Sequence, residues 1–102
     1  MPVNKERREQ KMNYVYILRC ADGTLYTGST TDLDRRLAVH NSGKGAKYTR
    51  SRRPVELIYH EELESWSAAL RREAAIKKLT RGEKLRLIES GEKAAQPAEF
   101  TG

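Results

Sequence analysis

Cysteine and long apolar runs are what this sequence has least of. The single cysteine, Cys20, excludes a disulfide framework and a cysteine-based zinc site. No apolar run approaches the roughly 18 residues of a membrane span, and the longest, residues 14–18, has the length of a buried strand. The basic N-terminal residues lack the apolar segment of a signal peptide. These absences predict a single cytoplasmic domain within the 102 residues.

Acidic residues are also scarce in one long segment. The chain has 20 basic and 14 acidic residues and a net charge of +6. Residues 35–53 contain seven basic side chains and no acidic one, whereas residues 71–86 contain seven basic and two acidic. One interpretation is that these two basic segments are simply charged faces exposed to solvent. A stretch of 19 residues without an acid favours the other, a surface that faces the phosphates of a nucleic acid.

Apolar patterning and turn signals predict a small α+β domain of order β-β-α-β-α-α, with a three-stranded, mainly antiparallel sheet flanked by helices. The strands are expected at residues 14–20, 25–28 and 55–59, and the helices at residues 32–41, 66–79 and 81–89. Thr31 with Asp34 resembles a capping box, and Ser65 is a candidate N-cap. The polar ends predict a disordered basic tail over residues 1–12, a folded domain over residues 13–89 and a disordered tail over residues 90–102.

Three polar residues fall on helix faces that should be apolar. At about 100° per residue, Arg36 and His40 lie one turn apart on the side that should face the sheet, and Glu73 interrupts the stripe that begins at Trp66. A carboxylate there is unfavourable without a positive partner. Glu73 therefore pairs with Lys77, pairs with Arg36, or serves a functional site. Trp66 itself is assigned to the core rather than to a stacking surface.

The turn between the first two strands decides whether Tyr16 and Tyr26 share a face of the sheet. A two-residue turn at Asp22 and Gly23 sends the two tyrosines to opposite faces. A three-residue loop over residues 21–23, with Gly23 in the left-handed region, places them diagonally on one face. The sequence permits both loops. Only the three-residue loop gathers both phenols and the three polar groups of the helices around one pocket.

An ordered set of short motifs resembles the GIY-YIG endonuclease superfamily. Residues 14–16 read Tyr-Val-Tyr and residues 26–28 read Tyr-Thr-Gly, in the places of GIY and YIG. Arg36, the pair His40 and Asn41, and Glu73 on a later helix match the next two motifs of that superfamily. The resemblance implies a GIY-YIG nuclease-like fold.

Within the superfamily, the chain is most similar to the small stand-alone bacterial members of the YhbQ-like (UPF0213) group. These members share the Gly-Ala-Lys-Tyr-Thr-Arg loop found here at residues 45–50. The resemblance covers about residues 13–89, which is essentially the whole body of the chain.

The resemblance implies a metal-dependent DNA endonuclease that hydrolyses phosphodiester bonds of single-stranded or structured DNA, in repair or recombination. Glu73 would hold the divalent cation, Mg²⁺ with Mn²⁺ as the alternative. Arg36 would make a forked contact to phosphate oxygens. Tyr16 would act as general base or position the water, with Tyr26 hydrogen-bonding nearby. His40, whose ordinary pKa lies closer to neutrality, competes with Tyr16 for the role of base, and the sequence leaves the choice open.

A set of polar residues at and after the end of the first helix would contact nucleic acid, and for those within residues 44–53 a place in a flexible basic loop is the alternative. The set comprises Asn41, Lys44, Lys47, Tyr48, Arg50, Arg52 and Arg53, with Tyr48 able to stack on an unpaired base. No Asn follows Asn41, although many family members carry one downstream of the metal-binding Glu. A non-catalytic nucleic-acid-binding module on a degenerate GIY-YIG fold is therefore the alternative function. A small basic partner of an RNA assembly is a third.

Overall fold

The described part of the chain folds into three strands and four helices. The computed structural model describes residues 12–101, with side chains described for residues 12–91. In chain order the elements are β1 (Asn13–Arg19), β2 (Leu25–Thr30), α1 (Leu33–Asn41), α2 (Lys47–Arg50), β3 (Glu56–Leu63), α3 (Trp66–Lys77) and α4 (Arg81–Thr101). The tail predicted for residues 1–12 lies outside the described residues except for its last residue. None of the described helices is long and apolar enough to cross a membrane.

The three strands form one antiparallel sheet in the order β2-β1-β3. The most apolar strand, β1, is central, and its residues 15–18 are all buried. Apolar, β-branched and aromatic residues suit a strand that is covered on both faces. This architecture confirms the predicted α+β fold with an antiparallel sheet.

The loop between β1 and β2 is the three-residue form. The backbone N–H of Cys20 donates to the carbonyl of Thr24 at 2.9 Å, which leaves residues 21–23 as the loop. Gly23 has φ +87°, a left-handed conformation that side chains disfavour. The loop in turn fixes the register of the whole hairpin.

The register places the two tyrosines of the hairpin on one face. Tyr26 lies opposite Leu18, and Tyr16 lies opposite Gly28. Because side chains alternate between faces along a strand, Tyr16 and Tyr26 project to the same side. Of the two loops that the sequence permits, the structure thus has the one that places both phenols on one face.

Each face of the sheet is covered by helices. One apolar cluster joins the sheet to α3 and α4 and contains Val15, Ile17, Ala69, Ile76 and Ile88. The other cluster covers the opposite face, joins the sheet to α1, and includes Tyr16, Leu18, Cys20, Val55, Leu33 and Leu37. Burying a large apolar side chain stabilises the fold by about 1.5–3 kcal/mol, so these two clusters hold α1 and α3 on opposite faces.

Side-chain caps set the starts of α1 and α3. The carboxylate of Asp32 accepts the backbone N–H of Arg35 at 3.1 Å, so Asp32 caps α1 and the predicted capping box of Thr31 and Asp34 is wrong. Asp32 is the N-cap because it has an extended backbone and directly precedes Leu33, the first helical residue. The predicted cap of α3 is confirmed, since the Ser65 hydroxyl accepts the backbone N–H of Ala68.

Three elements differ from the sequence predictions. Residues 47–50, predicted as loop, form the short helix α2, whose first turn is closed by bonds to the carbonyl of Ala46. Strand β3 continues to Leu63 because β1 pairs with it as far as Asn13. The backbone of α4 is helical to Thr101, beyond the predicted end at Glu89.

Candidate active site

A cavity of about 390 Å³ opens at the edge of the sheet formed by β2. The helices α1 and α3, from opposite faces, both contribute to its walls. All five predicted catalytic side chains line it: Tyr16, Tyr26, Arg36, His40 and Glu73. The structure thus brings these residues together, and their chemical roles stay predictions.

Tyr16 reaches the cavity from the central strand across a glycine of the edge strand. A Cβ atom on Gly28 would lie 2.5 Å from the Tyr16 hydroxyl and 2.7 Å from its Cζ atom. The missing side chain at Gly28 is therefore what allows the phenol to lie against the backbone of β2. The Tyr16 hydroxyl lies 3.0 Å from Nε2 of His40.

His40 is held in one tautomer by a chain of hydrogen bonds. Its Nδ1 lies 2.9 Å from the hydroxyl oxygen of Thr49, and that hydroxyl donates to the carbonyl of Ala46. The oxygen of Thr49 must then accept from Nδ1–H, which leaves Nε2 of His40 as the acceptor for the Tyr16 hydroxyl. Gly45 packs directly on the imidazole, where a Cβ would lie 2.5 Å from Nδ1.

Burial shifts the pKa values of this pair in opposite directions. Burial, and secondarily the neighbouring Tyr26, raises the pKa of Tyr16 far above its ordinary value, although the positive charge of Arg36 opposes the shift. Burial, and secondarily Arg36, lowers the pKa of His40. Near neutral pH the resting pair is therefore a neutral phenol and a neutral imidazole.

Tyr26 lines the cavity and belongs to an aromatic group that also includes Tyr48 of α2. Its ring meets the edge of His40 at a centroid distance of 5.4 Å and stacks on Tyr48 at 5.8 Å. The guanidinium of Arg52 lies 4.0 Å from the centroid of the Tyr48 ring and also binds the carboxylate of Asp22. Tyr48 is thus engaged by two neighbours and supports Tyr26 from outside.

Arg36 projects from α1 into the cavity and is exposed. Among the described residues its guanidinium has no ion pair and no hydrogen bond, so five N–H donors remain available. A guanidinium recognises phosphate oxygens through two parallel hydrogen bonds. The alternative of an ion pair between Arg36 and Glu73 is not what the structure shows.

Glu73 lies at the border between the core and the cavity, with its side chain 19% exposed. Its Oε1 accepts the hydroxyl of Ser29 at 2.5 Å, and its Oε2 lies 2.8 Å from Nζ of Lys77. The i,i+4 pair with Lys77, one of the alternatives from the sequence, is therefore present. The hydrogen bond from Lys77 to Glu73 raises the pKa of Lys77.

Glu73 is the one predicted metal ligand, and it could offer a cation a single carboxylate. No group of three or more His, Cys, Asp or Glu residues that could hold a metal occurs among the described residues. Mg²⁺ is commonly bound through one or two protein carboxylates, with waters and substrate phosphates completing its shell. The single carboxylate of Glu73 fits that pattern and does not fit a cation that requires an all-protein cage.

The predicted nucleic-acid-binding residues divide into engaged and available ones. The side-chain amide of Asn41 bonds both the N–H and the carbonyl of Val55, which ties α1 to the segment before β3. Three of the arginines bind backbone carbonyls nearby: Arg50, Arg52 and Arg53. Lys44 lines the cavity and Lys47 is exposed, and within the described part of the chain neither ammonium group has a hydrogen bond or ion pair.

Two apolar residues of the cavity wall were missed by the sequence interpretation. Trp66 and Leu70 line the cavity and are 44% and 47% exposed, so the assignment of Trp66 to the core is wrong. The core face of α3 consists instead of Ala69 and Ile76, both fully buried. Ser29 was also missed. Successive residues of a strand point to opposite faces of the sheet, so Ser29, next to Gly28, lies on the α3 face of β2. This alternation is the signal that could have identified Ser29 as a partner of Glu73.

Comparison with known proteins identifies the family. A family model described as the GIY-YIG catalytic domain matches residues 12–86. The UPF0213 protein of Syntrophus aciditrophicus is 62% identical over 77 residues, covering 74% of this chain and 88% of that protein. A UPF0213 protein of Natronomonas pharaonis is 58% identical over 76 residues, covering 74% and 89%.

Solved structures of similar chains show the same fold. The solution NMR structure of the UPF0213 protein BH0048 from Bacillus halodurans has a TM-score of 0.51 at 50% identity, covering 76% of this chain and 83% of that chain. The solution NMR structure of EF2693 from E. faecalis has a TM-score of 0.53 at 51% identity, with the same coverage. Taken with the match over residues 12–86, these relationships make this chain a member of the GIY-YIG family, in the UPF0213 group.

Proposed function

We propose that the protein is a metal-dependent DNA endonuclease that hydrolyses phosphodiester bonds of single-stranded or structured DNA, as repair or recombination requires. The observation that carries the proposal is the cavity itself. It joins a hydrogen-bonded Tyr16–His40 pair, the carboxylate of Glu73 and an Arg36 guanidinium that has no hydrogen bond or ion pair among the described residues. Metal-assisted hydrolysis of a phosphodiester uses these three functions: a base, a positive group at the phosphate and a cation site.

The Tyr16–His40 pair supplies the base in this proposal. The hydroxyl of Tyr16 takes a proton from the attacking water while its own proton passes to Nε2 of His40, 3.0 Å away. The phenol carries no net charge before or after the transfer, so its raised pKa does not prevent the step. His40 becomes an imidazolium whose Nδ1–H remains bonded to Thr49. Tyr16 and His40 thus act together rather than as competing bases.

Arg36 makes the proton transfer depend on substrate. Burial, and secondarily the positive charge of Arg36, lowers the pKa of His40 in the free protein. A phosphate bound to Arg36 offsets that charge, which makes the protonation of His40 less unfavourable when substrate is present. The same guanidinium stabilises the negative charge that develops on the phosphate oxygens in the transition state.

Glu73 would hold Mg²⁺, or Mn²⁺ as the alternative, and the cation would neutralise charge on the phosphate and on the leaving oxygen. The hydrogen bond from Ser29 orients one oxygen of Glu73, and Lys77 neutralises the other in the free protein. A cation at this carboxylate must therefore share Glu73 with Lys77 or displace it.

Two substitutions in the cavity test the proposal. Tyr16→Phe removes one hydroxyl and should lower single-turnover cleavage by about 10²–10⁴-fold, the usual contribution of general base catalysis. Glu73→Gln should abolish Mg²⁺-dependent cleavage while DNA binding is retained. The assay uses labelled single-stranded, duplex, flap and branched DNA, with and without Mg²⁺.

Tyr14→Phe is the matched control, because Tyr14 lies on the same strand but contacts His60 outside the cavity. It should cleave at the wild-type rate. Tyr16→Phe or Glu73→Gln variants that fold normally and still cut at the wild-type rate would contradict the assigned roles.

Two observations favour a second candidate, a non-catalytic nucleic-acid-binding module. Both carboxylate oxygens of Glu73 already have protein partners, and no Asn follows Asn41 in the sequence. This candidate predicts DNA binding without cleavage on any of the four DNA structures, with either Mg²⁺ or Mn²⁺.

A further inference from the structure

We propose that Trp66 and Leu70 form a base-stacking platform beside the catalytic cavity, so that the site selects strands carrying an unpaired nucleotide next to the cleaved phosphate. This inference rests on the proposed nuclease function and names its substrate class.

The platform shares a helix face with the candidate metal ligand. At about 100° per residue, Trp66, Leu70 and Glu73 fall within an arc of about 60° on α3, and all three line the cavity. At about 1.5 Å per residue, Trp66 lies about 10 Å along the helix axis from Glu73. A base on the indole would therefore belong to a neighbouring nucleotide and not to the one whose phosphate reaches Glu73.

The indole of Trp66 is available for stacking. It is 44% exposed, and Leu70 beside it on the helix is 47% exposed. Across the described residues the indole makes no hydrogen bond, ring contact or cation–π contact. Tyr48, the residue that the sequence suggested for stacking, is instead engaged by Tyr26 and Arg52. Trp66 is thus the aromatic surface that an incoming base can cover.

The remaining walls of the cavity fit a nucleotide. Arg36 and Lys44 bring positive charge to the same cavity as the two apolar side chains. The volume of about 390 Å³ lies within the range of small-ligand sites and far exceeds the roughly 30 Å³ of one water. Positive charge beside an aromatic surface is the combination that binds single strands, in which the charge holds the backbone and the ring stacks a base.

Base pairing decides which strands can use the platform. In a duplex each base is stacked between its neighbours, so its faces are covered, and exposing one requires unpairing and unstacking. An unpaired base has a free face to lay on Trp66. The platform therefore favours single strands, flaps and frayed ends over continuous duplex.

Trp66 is the only tryptophan in the chain, so its fluorescence reports on the platform directly. Wild-type protein is titrated in EDTA with oligodeoxythymidylate, with the same strand made abasic at its central positions, and with oligodeoxythymidylate paired to its complement. We expect quenching by the intact single strand and little or none by the abasic strand or the duplex. Equal quenching by the intact and abasic strands, or by the duplex, would overturn the platform.

Variants give a second, independent readout through the anisotropy of labelled DNA. Trp66→Ala should bind oligodeoxythymidylate about 5- to 150-fold more weakly, the range expected when an aromatic stacking partner is removed. Trp66→Phe should recover most of that loss, and both variants should bind the abasic strand like wild type. Leu85→Ala is the matched control, because Leu85 is 44% exposed on α4 and does not line the cavity.

Measuring binding in EDTA separates this inference from the nuclease proposal. Quenching by single strands together with absence of cleavage in Mg²⁺ would support the platform and refute the nuclease. Cleavage of single strands by a Trp66→Ala variant that binds them like wild type would refute the platform and leave the nuclease standing.

Discussion

At the scale of single residues, His40 controls the hydrogen-bond chain of the candidate site. His40 is 1% exposed, and its imidazole must be neutral to accept the Tyr16 hydroxyl at Nε2. Protonation of His40 would place a second donor opposite that hydroxyl and add a charge near Arg36. The protonation state of one buried side chain thus links the integrity of the site to pH.

We expect the melting temperature to fall as the pH is lowered below about 6.5, and to fall less in His40→Gln. The folded state lowers the pKa of His40, whereas the unfolded chain titrates near the ordinary value of about 6.5. Between those two values the unfolded state binds more protons. The contribution of His40 to stability is therefore complete above about pH 6.5 and is lost as the pH falls through the folded value.

The control for this pH dependence is His60→Gln, because His60 is exposed on β3 and outside the cavity. Thermal unfolding of this variant should follow the wild-type pH profile. A His40→Gln variant with the full wild-type dependence would show that other groups cause the fall.

A methyl group at Gly28 should disable the site. Because a Cβ there would lie 2.5 Å from the Tyr16 hydroxyl, Gly28→Ala must push the phenol away from His40. We expect a loss of cleavage comparable to that of Tyr16→Phe and a decrease in stability of about 1–3 kcal/mol from overpacking, measured by urea unfolding.

The matched glycine is Gly82 in α4, where an added Cβ would meet nothing closer than Nη1 of Arg86 at 3.9 Å. Gly82→Ala should leave cleavage unchanged and stabilise the protein by about 0.5–1 kcal/mol, because alanine is the better helix former. Wild-type cleavage by Gly28→Ala would show that the close contact between Gly28 and Tyr16 is not needed.

At the scale of elements, the segment around α2 contains cations of two kinds. The guanidinium of Arg52 bridges Asp22 and the carbonyl of Tyr48, whereas Lys44 and Lys47 have no partner within the described part of the chain. A side-chain cation that binds a phosphate releases the counterions held there, and a cation without a protein partner can do so without first breaking a protein contact. The two lysines should therefore dominate the salt dependence of binding.

The double variant Lys44→Ala with Lys47→Ala should reduce the slope of log K against log salt by about 1.4 on single strands, which is about 0.7 for each lost phosphate contact. Arg52→Ala should instead lower the melting temperature with a smaller change of slope. Both slopes come from anisotropy titrations over a series of salt concentrations. An unchanged slope in the double variant would remove the lysines from the binding surface.

The helix α3 shows where sequence patterning reaches its limit. Its start and its cap at Ser65 follow from local chemistry and were predicted. Its orientation about its own axis was not, because Trp66, Ala69, Leu70 and Ile76 form an apolar arc so broad that either half could face the sheet. The structure buries the half with Ala69 and Ile76, since a small residue lets the helix lie close to the strands. Trp66 is then left at the cavity.

At the scale of the whole molecule, the candidate site depends on elements that meet only in the folded chain. Alternation along β1 and β2 predicts a shared face for Tyr16 and Tyr26 once the loop length is known, but the loop length itself was open in the sequence. The bond from Cys20 to Thr24 selects the three-residue loop. The approach of α1 and α3 from opposite faces to the edge of β2 depends on packing of two separate cores, which no local pattern encodes.

The folded unit should extend past the end of the family match at residue 86. Ile88 is 7% exposed in the core cluster with Val15 and Ile17, and Gly91 packs against the ring of Tyr59. A chain truncated after Gly91 keeps these contacts and is the reference for stability measured by urea unfolding. A chain truncated after residue 86 loses the burial of Ile88 and should be less stable by about 2–5 kcal/mol. Equal stability of the two truncated chains would mean that the core is complete without the contacts of Ile88 and Gly91.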